Sequence, residues 1–78
     1  MNIIIYATTH CPYCDATKNY FDRKNIEYTV KNIDVDEDAY EELYAKLNGI
    51  FRGTPVIDIN GIVIEGFDVA KIEMALNF

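Results

Sequence analysis

The segment Ile3-Ile4-Ile5-Tyr6, followed by Thr9-His10-Cys11-Pro12-Tyr13-Cys14, decides the fold of this chain. The first run is apolar and β-branched, which predicts a buried strand. A helix is predicted from Pro12, because the first helical turn does not use the N–H that proline lacks. Cys11 therefore lies where the chain leaves a sheet and enters a helix. The positive end of the helix dipole favours a thiolate over a thiol at that point.

Working outward from this junction, apolar periodicity and turn residues predict seven elements. They are a strand Ile3–Tyr6, a helix Pro12–Lys24, a strand Tyr28–Asp34, a helix Glu37–Leu47, a strand Pro55–Ile59, a strand Ile62–Glu65, and a helix from the cap Asp68 to Leu76. A right-handed crossover makes the first two strands parallel, and Asn60-Gly61 predicts an antiparallel hairpin. The order β-α-β-α-β-β-α predicts an α/β fold, a four-stranded mixed sheet flanked by three helices. This is the minimal thioredoxin-like fold.

Each helix is predicted to pack through its apolar positions. The predicted packing residues are Tyr13, Ala16, Tyr20 and Phe21 in the first helix, Tyr40, Leu43, Tyr44 and Leu47 in the second, and Val69, Ile72, Met74 and Leu76 in the third. The second strand is expected to pack through Tyr28, Val30 and Ile33. With 78 residues, the chain is expected to form a single domain, residues 1–78, with a thin core.

Composition excludes several classes of function. The net charge of −6 disfavours nucleic acid as a partner, because an acidic surface gains nothing from phosphate. The sequence shows neither a signal peptide nor an apolar run long enough to span a membrane. We therefore expect a cytoplasmic monomer. Because the cytoplasm is reducing, a lone close pair of cysteines there is more often catalytic or metal-binding than structural. The acidic run from Asp34 to Glu42 is interpreted as a solvated face, with a docking surface for a basic partner as the alternative.

Three motifs follow one another in the chain: Cys11-Pro12-Tyr13-Cys14, Thr54-Pro55 and Glu65-Gly66-Phe67-Asp68. Together they resemble those of glutaredoxins and glutaredoxin-like redoxins, and the resemblance covers essentially the whole chain. It implies a dithiol thiol–disulfide oxidoreductase that reduces protein or glutathione mixed disulfides. In this scheme Cys11 is the nucleophile and Cys14 is the resolving thiol.

The resemblance also implies a binding site. Pro55 is expected to be a cis-proline that exposes the backbone of Thr54 beside the sulfurs, and Tyr13 is expected to flank bound glutathione. Gly66, Phe67 and Asp68 are expected to hold the γ-glutamyl end of glutathione at a helix N-terminus. Glutathione is then a co-substrate, with no tightly bound cofactor. Many family members carry a lysine three residues before the first cysteine, where this chain has Thr8, and Arg52 is a candidate to replace it by reaching a substrate carboxylate.

Departures from the family pattern leave the reductant open. Thr8 in the lysine position, Asp15 after the second cysteine and Glu65 in place of a glycine weaken the case for glutathione. The alternative is a redoxin that a thioredoxin-reductase-like flavoenzyme recharges, and that feeds electrons to proteins such as ribonucleotide reductase. A further alternative is a [2Fe–2S] cluster shared by two chains, ligated by Cys11 and glutathione. Zinc is disfavoured, since two cysteines and one histidine do not supply four ligands.

Overall fold

A computed structural model describes residues 2–76 and contains the seven predicted elements in the predicted order. The elements are β1 (Ile3–Ala7), α1 (Pro12–Arg23), β2 (Thr29–Asn32), α2 (Glu37–Lys46), β3 (Val56–Ile59), β4 (Ile62–Glu65) and α3 (Val69–Leu76). The strands lie side by side in the order β2-β1-β3-β4. The β1–β2 pair is parallel and the β3–β4 pair is antiparallel, as predicted. The predicted mixed sheet with three helices, and hence the thioredoxin-like fold, is confirmed.

Several elements are shorter than predicted. The edge strand β2 pairs with β1 only from Thr29 to Asn32, and the chain then turns, with Asp34 N donating to Asn32 Oδ1 at 2.9 Å. β3 begins at Val56 rather than at Pro55, whose missing N–H cannot join a ladder. The longest helix has 12 residues. No helix among residues 2–76 has the length and apolar character needed to cross a bilayer.

One face of the sheet packs against α1 and α3. The buried residues of this core are Ile3, Ile5, Phe21, Ile57, Ile59, Ile64, Ile72 and Ala75. In α1 the buried side chains are Cys14, Thr17 and Phe21. The prediction for Tyr13 was wrong, because this side chain is 66% exposed. Thr17 takes the buried position instead, and its hydroxyl is satisfied by donating to Tyr13 O at 2.7 Å.

The other face packs against α2 through a smaller core, formed by Tyr6, Leu43, Leu47 and Val56. Ala39 is the third buried residue contributed by the helix region, one turn before Leu43. Tyr40 and Tyr44, predicted to pack in this core, lie at its exposed margin, where their rings contact each other at a centroid distance of 5.9 Å. The buried side of α2 runs through Ala39 and Leu43, so both tyrosines lie beside it.

Three other packing predictions were wrong. Val69 and Met74 of α3 are exposed because the buried stripe of that helix passes through Ile72 and Ala75. Val30 is exposed because β2 is an edge strand, whereas Tyr28 beside that strand packs against the larger core.

A polar cluster beneath α2 ties the helix to three strands. We call it the α2 cluster, and it consists of Tyr6, Lys31, Glu42, Lys46 and Asp58. Lys46 Nζ donates to Asp58 Oδ2 at 2.6 Å and to the Tyr6 hydroxyl oxygen at 2.7 Å. Glu42 accepts from the Tyr6 hydroxyl and from Lys31 Nζ at 2.9 Å. The side chains therefore satisfy one another where α2 covers the sheet.

The α2 cluster predicts a dependence of stability on pH. The hydrogen bond from Tyr6, and then that from Lys31, lower the pKa of Glu42 from its ordinary 4.5. A carboxylate whose pKa is lower in the folded than in the unfolded protein stabilises the fold. This contribution is complete at a pH above the unfolded-state pKa, and it is lost as the pH falls through the folded-state pKa. Glu42→Gln is therefore expected to be less stable than the wild type at neutral pH. This difference should shrink below about pH 4.

Urea midpoints measured by circular dichroism across this pH range would check the expectation. Glu41→Gln, an exposed carboxylate on the same helix, is the matched control. A Glu42→Gln profile that parallels that of Glu41→Gln at every pH would contradict it.

Candidate active site

The two cysteines lie at the junction of β1 and α1. Cys11 is the N-cap of α1, with extended backbone, and its Sγ accepts a hydrogen bond from Cys14 N at 3.1 Å. The Cα atoms of the two residues are 5.2 Å apart, and a disulfide joins the sulfurs. The N-cap position supplies both a backbone donor and the positive helix end to the Cys11 sulfur, as the sequence predicts.

The two sulfurs differ in accessibility. Cys14 is only 1% exposed and belongs to the buried face of α1, whereas Cys11 is half-buried at the surface end of the junction. A large disulfide substrate can therefore reach Cys11 but not Cys14. The geometry orders the two thiols into an outer and an inner one.

Thr54 and Pro55 approach Cys11 from the start of β3. The Thr54–Pro55 peptide bond is cis, which confirms that prediction. Thr54 Oγ1 donates to Cys11 Sγ at 3.6 Å. The same oxygen lies 2.8 Å from Thr8 Oγ1. Because a hydroxyl has one proton, Thr54 accepts from Thr8 when it donates to sulfur. The Thr54 N–H and C=O have no hydrogen-bond partner among residues 2–76, so this backbone is available to a substrate strand.

The Thr54 hydroxyl is expected to stabilise the thiolate of the reduced protein, since a donor to the charged form favours it. Thr54→Val should therefore slow alkylation of Cys11 by iodoacetamide at neutral pH by about threefold to tenfold, the effect of one such bond. Thr29→Val, on the exposed edge strand, is the control. Equal alkylation rates for the two variants would argue against a role for this hydroxyl.

Neighbouring side chains of the cysteine loop face solvent. Tyr13 is exposed beside the disulfide, where it can contact a substrate. His10 is exposed as well, and Asp15 is paired with Lys18 at 3.2 Å. The loop is fixed from the turn after β2, because Thr9 N donates to Asp34 Oδ2 at 2.8 Å. The sequence predicts Asp34 as the end of the second strand and as part of the acidic run, and nothing local indicates this contact across 25 residues.

A groove of about 440 Å³ is lined in part by Thr54. Its lining residues are Arg52, Gly53, Thr54, Glu65, Gly66 and Lys71. Arg52 Nη1 lies 3.6 Å from Glu65 Oε2, so the predicted substrate-binding arginine pairs with a carboxylate of the chain itself. Lys71 was not predicted. Its only sequence signal is its position three residues after the cap Asp68.

The motif Gly66-Phe67-Asp68 serves several structural purposes at the end of this groove. Gly66 has φ +86°, which favours glycine, and its N–H donates to Pro55 O at 2.8 Å. Phe67 packs edge-on against Tyr20 with ring centroids 5.9 Å apart. The Asp68 carboxylate accepts from Lys71 N at 3.2 Å. Contact of these three residues with glutathione stays a prediction.

An iron–sulfur cluster takes four thiolate ligands. In the shared-cluster alternative, Cys11 from each of two chains and two glutathione thiols would supply them, and this alternative stays a prediction. Among residues 2–76, no group of three or more His, Cys, Asp or Glu side chains is arranged to hold a metal ion. No step of the proposed chemistry passes through a cluster.

A thioredoxin-like sheet with an outer and an inner cysteine at the first helix defines a dithiol redoxin. Comparison with known proteins gives the family: the glutaredoxin family model matches residues 3–64, and the chain belongs to this family. A glutaredoxin-like 8.6 kDa protein in the rubredoxin operon of Clostridium pasteurianum is 40% identical over 91% of this chain and 92% of its own. The glutaredoxin-like protein NrdH of Salmonella typhimurium is 33% identical over 86% of this chain and 79% of its own.

Solved structures agree with this placement. NrdH-redoxin from Escherichia coli, a glutaredoxin-like protein, superposes with a TM-score of 0.82 and 30% identity. The match covers 95% of this chain and 93% of the other.

Proposed function

We propose that this protein reduces disulfides of other proteins by dithiol exchange, with Cys11 as the attacking thiol. The observation that carries the proposal is the difference in accessibility between the two sulfurs. Cys11 is reachable and lies at the helix N-terminus, and Cys14 is 1% exposed directly behind it. A nucleophile and a resolving thiol need this arrangement.

The exchange proceeds in two balanced steps. The Cys11 thiolate attacks one sulfur of the substrate disulfide, forming a mixed disulfide and releasing the other substrate sulfur as a thiolate. The Cys14 thiolate then attacks Cys11 Sγ, forming the Cys11–Cys14 disulfide and releasing the second substrate thiolate. The substrate gains two electrons and the cysteine pair loses two. The observed disulfide is the product of this half-reaction.

The substrate is held as an extended segment in this proposal. Thr54 presents a backbone N–H and C=O near Cys11 that have no partner among residues 2–76, and Tyr13, between the two cysteines in sequence, offers an exposed ring. An extended chain around a substrate cysteine can add to such a backbone in the manner of a β-strand. Proteins that present a disulfide in an extended segment are therefore the substrate class.

For the reductant we propose a thioredoxin-reductase-like flavoprotein acting in the cytoplasm. Support comes from the likeness to NrdH-redoxin from Escherichia coli, whose solved structure is described as explaining a thioredoxin-like activity profile. Thr8, which contacts Thr54, stands in the position where many glutaredoxins carry a lysine. Glutathione is the second candidate, supported by membership of the glutaredoxin family.

A coupled assay tests both parts of the proposal. Oxidation of NADPH is followed with a protein disulfide such as insulin, in the presence of thioredoxin reductase or of glutathione with glutathione reductase. We expect turnover with thioredoxin reductase and only background turnover with glutathione. Turnover with glutathione alone would overturn the proposed reductant, and absence of insulin reduction even by the chemically reduced protein would overturn dithiol exchange itself.

A further inference from the structure

The groove beside Cys11 contains a carboxylate at its mouth. Glu65 is the last residue of β4, directly across the β3–β4 ladder from Val56, and its side chain reaches Arg52 at 3.6 Å. Arg52 precedes Thr54 by two residues, and both line the groove. The pair is largely exposed, so it adds little to the stability of the fold. Its effect lies in the charge that the groove presents.

We propose that Glu65 is a specificity-determining residue that makes this groove select against anionic disulfides such as oxidised glutathione. The Glu65 carboxylate engages Arg52, and so masks one of the two cations that line the groove. It also places a negative charge where an anionic substrate would lie. Uncharged or basic segments next to a substrate disulfide meet no such barrier. This inference deepens the proposed function and rests on dithiol exchange at Cys11.

The chemistry of the competing substrates makes the charge decisive. Each half of oxidised glutathione carries two carboxylates and one ammonium group, so its binding to a groove depends on unpaired cations. A like charge at the rim disfavours an incoming anion, and such charge arrangements govern choice of partner more than total affinity. Lys71, on α3, also lines the groove, so Glu65 pairs with one of the two cations there.

The test measures a ratio of two rate constants on the reduced protein by stopped flow. One reaction uses oxidised glutathione, and the other uses neutral hydroxyethyl disulfide. In both, the Cys11–Cys14 dithiol loses two electrons and the small disulfide becomes two thiols. We expect Glu65→Gln to raise the ratio of the glutathione rate constant to the neutral-disulfide rate constant by about twofold to fivefold, as for removal of one largely exposed charge. Arg52→Gln should lower the ratio, because Glu65 is then unopposed.

Glu41→Gln is the matched control, since it makes the same change in net charge on α2, outside the groove. High salt should raise the wild-type ratio towards that of Glu65→Gln, because screening weakens exposed charges. The proposal is overturned if Glu65→Gln shifts the ratio no more than Glu41→Gln does. A failure of dithiol exchange is distinguishable, since the neutral disulfide would then not react with any variant.

Discussion

Cys11→Ser is expected to abolish disulfide exchange, with a loss of at least about a thousandfold, because a serine hydroxyl is hardly ionised and does not attack sulfur. Cys14→Ser, in contrast, should still attack a substrate disulfide and then stall. Its Cys11 forms the mixed disulfide, but the buried serine hydroxyl beside it cannot resolve it. The two variants separate the roles of the outer and the inner thiol, which the structure distinguishes by accessibility and by the donors that face Cys11 Sγ.

Non-reducing gels after mixing each variant with a protein disulfide would check this expectation. Cys14→Ser should accumulate a covalent adduct that dithiothreitol removes, and Cys11→Ser should form none. Cys11→Ser should keep the fold, because serine is a good N-cap and its Oγ can accept from Cys14 N as the sulfur does. Circular dichroism provides the control. An adduct formed by Cys11→Ser, with none from Cys14→Ser, would reverse the assignment.

The order of elements could be predicted because its signals are local. The apolar run of β1, Pro12 at the first turn of α1 and the hairpin turn Asn60-Gly61 each act within a few residues. Asn60 and Gly61 both have positive φ, as the tight hairpin requires. Parallel pairing of β1 with β2 then followed from the handedness of the crossover.

The direction of the helices' buried faces was harder to predict. Tyrosine counts as an apolar residue in a helical pattern. Its size and its hydroxyl nevertheless allow it to lie at the exposed edge of the core. Thus Ala39 and Thr17 are buried where Tyr40 and Tyr13 were expected. A buried hydroxyl costs little once it has a backbone acceptor, as Thr17 has in Tyr13 O.

The site was predictable where a motif marks it and not where distant residues meet. Cys11 and Cys14 are explained by their place at the junction, and the structure brings Thr54 and Pro55 to them. Sequence reasoning noted Arg52 and Glu65 separately, as a substrate-binding cation and as a misplaced carboxylate. Their pairing depends on how the loop before β3 meets the end of β4, which no local pattern specifies.

The α2 cluster supplies the second large expected effect. Lys46→Met should lower the free energy of unfolding by about 2 kcal/mol, because it leaves a buried carboxylate without its ionic partner. Asp58 is only 8% exposed, and its Oδ2 loses the hydrogen bond from Lys46 Nζ. Burial lowers the pKa of Lys46, but hydrogen bonds to Asp58 and Tyr6 outweigh it and leave that pKa raised. The charged lysine is thus favoured in the folded protein.

A double-mutant cycle with Asp58→Asn gives this prediction a test of sign. In the wild type, Asp58→Asn should destabilise, because it weakens the bond with Lys46. In the Lys46→Met background the same change should stabilise, by about 1 kcal/mol, since it removes the unpaired charge. Asparagine keeps an oxygen that can accept from Gly61 N, which Asp58 Oδ1 binds at 2.7 Å. Urea unfolding of the four proteins measures the cycle. Destabilisation by Asp58→Asn in both backgrounds would contradict the prediction, because the effect of the Asp58 charge on stability would then not depend on Lys46.

For a domain of this size, with about 3–5 kcal/mol of stability, the loss in Lys46→Met takes a large share of the total.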